Sequence, residues 1–217
     1  MEELNLMQRL AVWALPVLFA ITVHEVAHGW VAKYLGDPTA EMLGRLTLNP
    51  LRHIDPVGTL LVPGMLLLLG GFIFGWAKPV PVTYENLRNP KRDMAIVAAA
   101  GPLANLLMAT GWALLLKVAI ALSGEMEWVA LPLLYMSGAG ITINVILMVL
   151  NLLPLPPLDG GRVLTGLLPD RAAWQLGRVE PYGFIILLAL LATGLLGRLL
   201  GPPVYALQST LFSLAGV

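Results

Sequence analysis

Hydrophobic side chains occur in long runs along this chain, and charged side chains are confined mainly to the stretches between the runs. A helix needs about 20 mostly apolar residues to cross the hydrocarbon core of a bilayer. The pattern therefore predicts an all-α polytopic membrane protein whose charged stretches are loops. The predicted full spans are about 8–32, 94–120, 129–153 and 181–199. The uncharged tail, 199–217, is either a short interfacial helix or a partial span.

The apolar stretch 56–77 differs from these runs. It is uncharged, but Pro63-Gly64 and Gly70-Gly71 interrupt it, and these residue types bend or break helices. Non-helical backbone at membrane depth is tolerated where it is buried in protein or lines a wet cavity. We therefore predict a re-entrant segment that enters and leaves on one side.

Basic residues are distributed unevenly among the loops. The loops rich in Lys and Arg are 33–55, 78–92 and 154–180. Loop 123–127 contains only acidic charges. Because cytoplasmic loops are enriched in Lys and Arg, we predict that the basic loops face the cytoplasm and that the N-terminus lies outside. The two loops that flank 56–77 then share a side, as a re-entrant segment requires.

The composition excludes a soluble globular enzyme. Of the 217 residues, 58% are hydrophobic and 12% are charged, whereas soluble domains carry about 25% charged residues. The absence of cysteine excludes disulfides and thiolate metal sites. The formal net charge is +0, so no basic field indicates nucleic acid. The N-terminus lacks the basic region of a signal peptide, so we expect the first apolar segment to be retained. The whole chain, 1–217, is expected to form one membrane domain.

An H-E-x-x-H sequence lies inside the first predicted span, at His24, Glu25 and His28. On a helix, positions i and i+4 share a face, so both imidazoles can reach one ion. Zinc binds two imidazoles and a carboxylate and keeps a fourth position for water, from which a neighbouring glutamate can take a proton. Ionisable groups in an apolar span are costly unless paired. This favours a metal site over the alternative, in which the three side chains only satisfy one another.

Asp159 is the predicted third ligand. It follows the third span, in the sequence N-L-L-P-L-P-P-L-D-G-G-R that starts at Asn151. The prolines end the helix, and the two glycines after Asp159 permit close approach to a site. The first and third spans both run toward the cytoplasm, so His28 and Asp159 end on the same side. The alternative for Asp159 is a helix N-cap. His53, in a loop, is expected to be solvated rather than a ligand.

A small β element is predicted beside this site. In Trp76–Thr83, Pro79 and Pro81 lie two residues apart, so their missing N–H groups blunt the same strand edge. The residues that alternate with them, including Val80, keep their N–H groups on the other edge. We hypothesise that this segment pairs with Gly44–Asn49 and that an unwound substrate adds as a further strand. The alternative is a loop that only seals the helices.

These motifs resemble those of the site-2 proteases, a family of intramembrane zinc metalloproteases. The H-E-x-x-H sequence resembles the family's catalytic helix, and Gly101-Pro102-Leu103-Ala104-Asn105 resembles its Gly-Pro-x-x-Asn segment. The stretch from Asn151 to Gly161 resembles its Asp-containing motif. Only about five residues separate the second and third spans, so the chain resembles the compact prokaryotic members without a PDZ domain.

The resemblance implies a role for each site residue. The implied zinc ligands are His24, His28 and Asp159, for one Zn²⁺ per chain, and the implied general base is Glu25. Asn151 is implied to stabilise the oxyanion or to hold substrate, and its alternative is a helix cap or an interhelical hydrogen bond. Asn105 and Asn144 are expected to be interhelical polar contacts.

The expected function is that of an intramembrane zinc metalloendopeptidase that hydrolyses peptide bonds within or near transmembrane segments. We expect it in a prokaryotic inner or plasma membrane, with its active site toward the cytoplasmic face. Its expected partners are a transmembrane substrate and the bilayer, without nucleic acid, and the oligomeric state stays open. One alternative is a membrane metal-binding or transport protein, although the spans carry few polar residues. Another is an inactive helix-binding adaptor, which would not need Glu25.

Overall fold

The computed structural model describes residues 5–61, 65 and 77–217, and these residues form helices and no β-strand. Its α-helices are α1 (Leu6–Tyr34), α2 (Thr39–Met42), α3 (Pro90–Leu122), α4 (Glu127–Asn151), α5 (Asp159–Leu167), α6 (Asp170–Gly177), α7 (Glu180–Ala192) and α8 (Leu195–Ala215). Short 3₁₀ turns cover Pro50–Arg52 and Tyr84–Asn86, and a π-helical turn covers Pro56–Leu61. The all-α prediction is confirmed for this part of the chain.

Three of the described helices are long and apolar enough to cross a membrane. They are α1, α3 and α4, with 29, 33 and 25 residues. Each exceeds the length of about 20 residues that a bilayer requires. The first three predicted spans are therefore confirmed as helices of spanning length.

The predicted fourth span, 181–199, is interrupted. Helix α7 ends at Ala192, and Gly194, with a φ of 70°, precedes α8. This left-handed backbone favours glycine, because a Cβ would meet the following carbonyl oxygen. The 13 residues of α7 rise about 20 Å, which is less than the hydrocarbon thickness of about 30 Å. Only together with α6 does α7 reach spanning length, and that pair is bent by 61°. Four full spans are not confirmed.

Helix α3 lies at the centre of the fold. It packs against α1, α4, α5 and α8. Its contact with α4 uses small and branched side chains, and buried Ala109, Ala113, Ile141 and Val145 belong to one cluster. Small residues allow two helix backbones to approach closely in a membrane. The tail, whose placement the sequence left open, is α8, which joins this cluster through residues near its end.

The two basic loops that flank the predicted re-entrant segment meet at one end of the helices. The backbone N–H of Lys78 donates to the carbonyl of His53 at 2.9 Å, and that of Arg88 donates to the carbonyl of Leu35 at 3.2 Å. These contacts agree with the prediction that the loops share a side. The segment 56–77 itself lies largely outside the described residues.

The predicted β element is not confirmed in the described part of the chain. Pro79 and Pro81 favour extended backbone at the residues before them. Residues 77–83 belong to no helix and form no ladder with Gly44–Asn49. Instead, a side chain joins the two stretches, because Arg45 Nη2 donates to the carbonyl of Lys78 at 2.9 Å. The expectation of a solvated His53 is wrong, because its side chain packs inside this loop. His53 is 2% exposed, and its Nε2 hydrogen bonds to the carbonyl of Thr47 at 2.9 Å.

Candidate metal centre

Helix α1 places two imidazoles one turn apart, on the face that packs against α3. The Nε2 atoms of His24 and His28 are 3.1 Å apart. The rings stand nearly perpendicular, at 86°, with their centroids 4.7 Å apart. Both residues are buried. The i, i+4 spacing therefore converges the two ring nitrogens on one point, as the sequence predicted.

Asp159 is the first residue of α5, and its carboxylate reaches the same point as the two imidazoles. The stretch before it contains a cis peptide bond between Pro156 and Pro157. Gly161 packs tightly on the preceding turn, since a Cβ there would lie 2.6 Å from the carbonyl carbon of Leu155. Asp159 Oδ2 lies 3.2 Å from Nε2 of His24 and 3.3 Å from Nε2 of His28. The structure thus brings all three predicted ligands together.

The three facing atoms form a triangle that fits a zinc ion. Its sides measure 3.1, 3.2 and 3.3 Å. Zinc bonds of about 2.0–2.1 Å in a tetrahedron place neighbouring ligand atoms about 3.3–3.4 Å apart. Asp159 Oδ2 is buried and has no hydrogen-bond partner, which is costly for a carboxylate unless a cation compensates it. The group could hold a metal ion, with a fourth position left for water.

The outer nitrogen of each imidazole already has a partner. His28 Nδ1 lies 2.7 Å from the carbonyl of Val97, and His24 Nδ1 lies 2.6 Å from Oδ1 of Asn105. A carbonyl only accepts, so Nδ1 of His28 carries the hydrogen and its Nε2 keeps a lone pair. Metal-binding histidines commonly donate their second N–H in this way. Both imidazoles are therefore prepared for metal binding by groups on α3.

Gly101 explains why α3 can approach the two imidazoles. Val97, Gly101 and Asn105 follow at intervals of four residues and lie on one face of α3. A Cβ at Gly101 would lie 2.5 Å from Cε1 of His24 and would also overlap the ring of His28. The first and last residues of the Gly-Pro-x-x-Asn segment thus have separate roles, since the glycine leaves room for the rings and the asparagine contacts one of them.

Glu25 is held by the extended segment 77–83 rather than by a helix. Its Oε2 accepts a hydrogen bond of 2.7 Å from the backbone N–H of Val80. The N–H of Lys78, on the same edge, donates to the carbonyl of His53. Both N–H groups therefore bind groups of the protein itself, and the addition of a substrate strand stays a hypothesis.

Asp37 anchors the other end of this segment, and the sequence analysis missed it. It has no exposed surface. It accepts hydrogen bonds from the N–H of Thr83 at 2.6 Å, from Nδ2 of Asn86 at 2.9 Å, and from the N–H and hydroxyl of Thr39. Burial raises the pKa of Asp37, but these hydrogen bonds outweigh burial and hold the pKa below its ordinary value. The Asp-Pro-Thr sequence, typical of a turn, was the available signal.

Asn151 is the last residue of α4, and the structure leaves its predicted role untested. Its Nδ2 donates to the carbonyl of Leu147 at 2.9 Å, one turn back in the same helix. An amide NH₂ group has two hydrogens, so this bond uses one of them. The site role of Asn151 stays a prediction.

A groove of about 430 Å³ begins beside Val80. Its lining includes the segment from Pro79 to Val82 and also Pro156 and Arg162. The groove therefore lies between the segment that holds Glu25 and the turn and helix that present Asp159.

Comparison with known proteins relates the chain to metalloproteases. The sequence model of Peptidase family M50 matches residues 117–193. Three similar proteins are each named "Putative zinc metalloprotease", YwhC in Bacillus subtilis and Rip2 in Mycolicibacterium smegmatis and Mycobacterium tuberculosis (strain H37Rv). YwhC is 38% identical, over 91% of this chain and 88% of its own length. The Rip2 of Mycolicibacterium smegmatis is 34% identical, over 83% of this chain and 66% of its own length. The Rip2 of Mycobacterium tuberculosis is 31% identical, over 92% of this chain and 72% of its own length. No solved structure matches.

Proposed function

The chain belongs to the site-2 proteases, peptidase family M50, and from this membership we propose that it is a zinc metalloendopeptidase that cleaves membrane proteins within or near their transmembrane segments. The proposed zinc ligands are His24, His28 and Asp159, the proposed general base is Glu25, and the proposed oxyanion donor is Asn151. The single observation that carries the proposal is the triangle of ligand atoms. Glu25 directly follows His24, one of the residues of that triangle.

The chemistry divides between the metal and the chain. Zinc held by His24, His28 and Asp159 would supply a Lewis acid that activates water for attack. Glu25 accepts a proton from the attacking water and passes it to the amide nitrogen as the C–N bond breaks. The N–H of Val80 holds Oε2 of Glu25, so we assign the proton transfer to Oε1. The second amide hydrogen of Asn151 donates to the carbonyl oxygen as it becomes an oxyanion.

The groove beside Val80 suits an unwound chain. The carbonyls of a substrate helix are engaged in helical hydrogen bonds, so the helix must open before a peptide bond can be attacked. We assign the opened stretch to the groove between Pro79–Val82 and Pro156. A substrate there would lie along a segment that has no strand partner among the described residues.

The charge distribution supports a cytoplasmic active site in a prokaryotic inner or plasma membrane. The metal centre lies at the end of α4 that leads into basic residues 154–180, and the opposite turn, near Glu125, is acidic. Lys and Arg are retained on the cytoplasmic side. In this arrangement the N-terminus is outside, and a fourth crossing would be formed by the bent pair of α6 and α7 together. Reporter fusions at residues 85 and 125 would test this topology, since fusions active on the same side would contradict it.

The decisive variant is Glu25→Gln. Purified wild-type and variant proteins in liposomes are given synthetic transmembrane peptides, and mass spectrometry detects the products. The variant should bind one zinc per chain, as the wild type does, and should lose cleavage by roughly 10²- to 10⁴-fold because proton transfer is lost. Glu41→Gln, at an exposed carboxylate outside the site, is the matched control and should cleave normally.

Each competing function predicts a different result. Normal cleavage by Glu25→Gln would refute the proposed mechanism. A transport protein would carry zinc across the liposome and leave peptides intact in both forms, and an inactive adaptor would bind peptides without cleaving them. Asp159→Ala should lose zinc, and unchanged metal content would remove Asp159 from the ligand set.

A further inference from the structure

We propose that Asn144, on α4, fixes the ring tautomer of His24 through Asn105 and so acts as a positioning residue for the metal centre. The inference rests on the proposed zinc site. It concerns a line of side chains that crosses three helices, from α4 through α3 to α1. Asn144 does not touch His24 itself, because Asn105 lies between them.

The direction of the hydrogen bonds is set at the α4 end. Asn144 Nδ2 lies 2.8 Å from the carbonyl of Gly140, which only accepts hydrogen bonds. The amide nitrogen of Asn144 must therefore face that carbonyl, and its Oδ1 faces α3. At 2.9 Å, this Oδ1 accepts from Nδ2 of Asn105.

The same argument fixes the amide orientation of Asn105 and the tautomer of His24. Because Nδ2 of Asn105 points at Asn144, Oδ1 of Asn105 points at His24, 2.6 Å from Nδ1. An amide oxygen only accepts, so Nδ1 carries the hydrogen and Nε2 presents its lone pair to the triangle. The carbonyl of Ala20, 3.5 Å from Nδ2 of Asn105, favours the same orientation but at the limit of hydrogen-bond length.

Burial makes this orientation strict. Asn105 and Asn144 have no exposed surface, and His24 is 7% exposed, so solvent cannot replace a partner that has been lost. If Asn105 turned over, its amide nitrogen would face His24 Nδ1, and its oxygen would face the oxygen of Asn144. The hydrogen of His24 would then move to Nε2, where it blocks metal binding. An asparagine on a helix that holds no ligand thereby selects the form of the imidazole that binds metal.

The test separates tautomer control from simple helix packing. Zinc affinity is measured by chelator competition on purified variants, and the melting temperature of each apo protein is measured beside it. Asn105→Leu should weaken zinc binding about 10- to 100-fold, the usual cost of losing such a partner. Asn144→Leu should weaken it by a smaller factor, roughly 3- to 10-fold, because Asn105 keeps its place but loses its orientation.

Asn105→Asp is the variant that distinguishes the two explanations. A carboxylate still accepts from His24 Nδ1 but cannot donate to Asn144, so its melting temperature should fall while zinc affinity stays within about 3-fold of wild type. Ser137→Ala is the matched control, since this buried serine on α4 has no hydrogen-bond partner and should leave zinc affinity unchanged.

The outcomes also separate this inference from the proposed function. If wild-type protein binds no zinc, the proposed site fails. If wild type binds zinc, but Asn144→Leu binds it equally well, or Asn105→Asp loses as much affinity as Asn105→Leu, the positioning role is refuted and the asparagines serve only packing.

Discussion

His24 and Glu25 are consecutive residues, yet two different kinds of structure hold them. His24 is fixed by side chains of two long helices that pack along α1 and each other. Glu25 is fixed by one backbone N–H of an extended segment, and buried side chains, chief among them Asp37, hold that segment in place. The proposed ligand His24 is therefore positioned by helix packing, whereas the proposed base Glu25 is positioned by a loop. We expect that each can be disrupted while the other stays intact.

The largest effect on the bundle side should come from Gly101→Ala. The added Cβ would overlap both imidazoles, so zinc affinity should fall on the order of 100-fold. Chelator competition measures the loss. Gly111→Ala is the control on the same helix, because a Cβ there meets nothing within 4 Å; it should keep zinc and stabilise the helix by up to about 1 kcal/mol. Equal zinc affinity in the two variants would contradict the packing argument.

On the loop side, Val80→Pro removes the N–H that holds Glu25. Turnover should fall roughly 10- to 100-fold, since the base is misplaced rather than removed, and zinc content should not change. Val80→Ala keeps the N–H and should cleave normally. Zinc analysis beside the peptide assay makes the comparison, and loss of zinc in Val80→Pro would show that the two regions are not separable.

A smaller effect should follow from Asp37→Asn, which removes the charge that anchors the extended segment. Losing strong acceptors at a buried group costs about 1–3 kcal/mol, so amide hydrogen exchange of residues 77–89 should speed up. Because the pKa of Asp37 is lowered, its contribution is present above the unfolded value of about 3.9 and is lost as pH falls through the lower folded value. Wild-type protection should show this acid loss, and the variant should not.

The smallest effect should come from Glu41→Gln, in the same loop. Its partner Lys33 is 2.6 Å away, but the two side chains are 40% and 51% exposed. Exposed ion pairs contribute about 0–1 kcal/mol, so the melting temperature and hydrogen exchange of the segment should barely change. A loss as large as that of Asp37→Asn would mean that charge in the loop, rather than burial at Asp37, anchors the segment.

The long helices and the residues that converge between them were largely predictable from the sequence. Long apolar runs specify α1, α3 and α4, because only a helix satisfies its own backbone in lipid. His24, His28 and Asp159 are ligand types in an apolar setting, where pairing is almost obligatory, and they do converge. The prediction that Asn105 and Asn144 make interhelical polar contacts is confirmed, since they hydrogen bond to each other. The link from Asn105 to His24 was not predictable, because it depends on how each helix is rotated about its axis.

The loops and the break at Gly194 were predicted poorly, for a physical reason. Alternating prolines indicate where N–H groups are missing, but not what the remaining N–H groups bind, and the N–H of Val80 binds Glu25 rather than a strand. The burial of His53 depends on contacts within its own loop that carry no periodic signal. The break at Gly194 lies inside a continuous apolar run, so hydropathy alone could not locate it.

The great distance along the chain between the ligands sets an order of events during biosynthesis. His24 and His28 emerge from the ribosome first, and Asp159 follows roughly 130 residues later, on the order of ten seconds at usual elongation speeds. In that interval α3 is synthesised, so Asn105 is available to contact His24 before Asp159 emerges. The proposed three-ligand site can thus be completed only late, after the first three long helices have been synthesised.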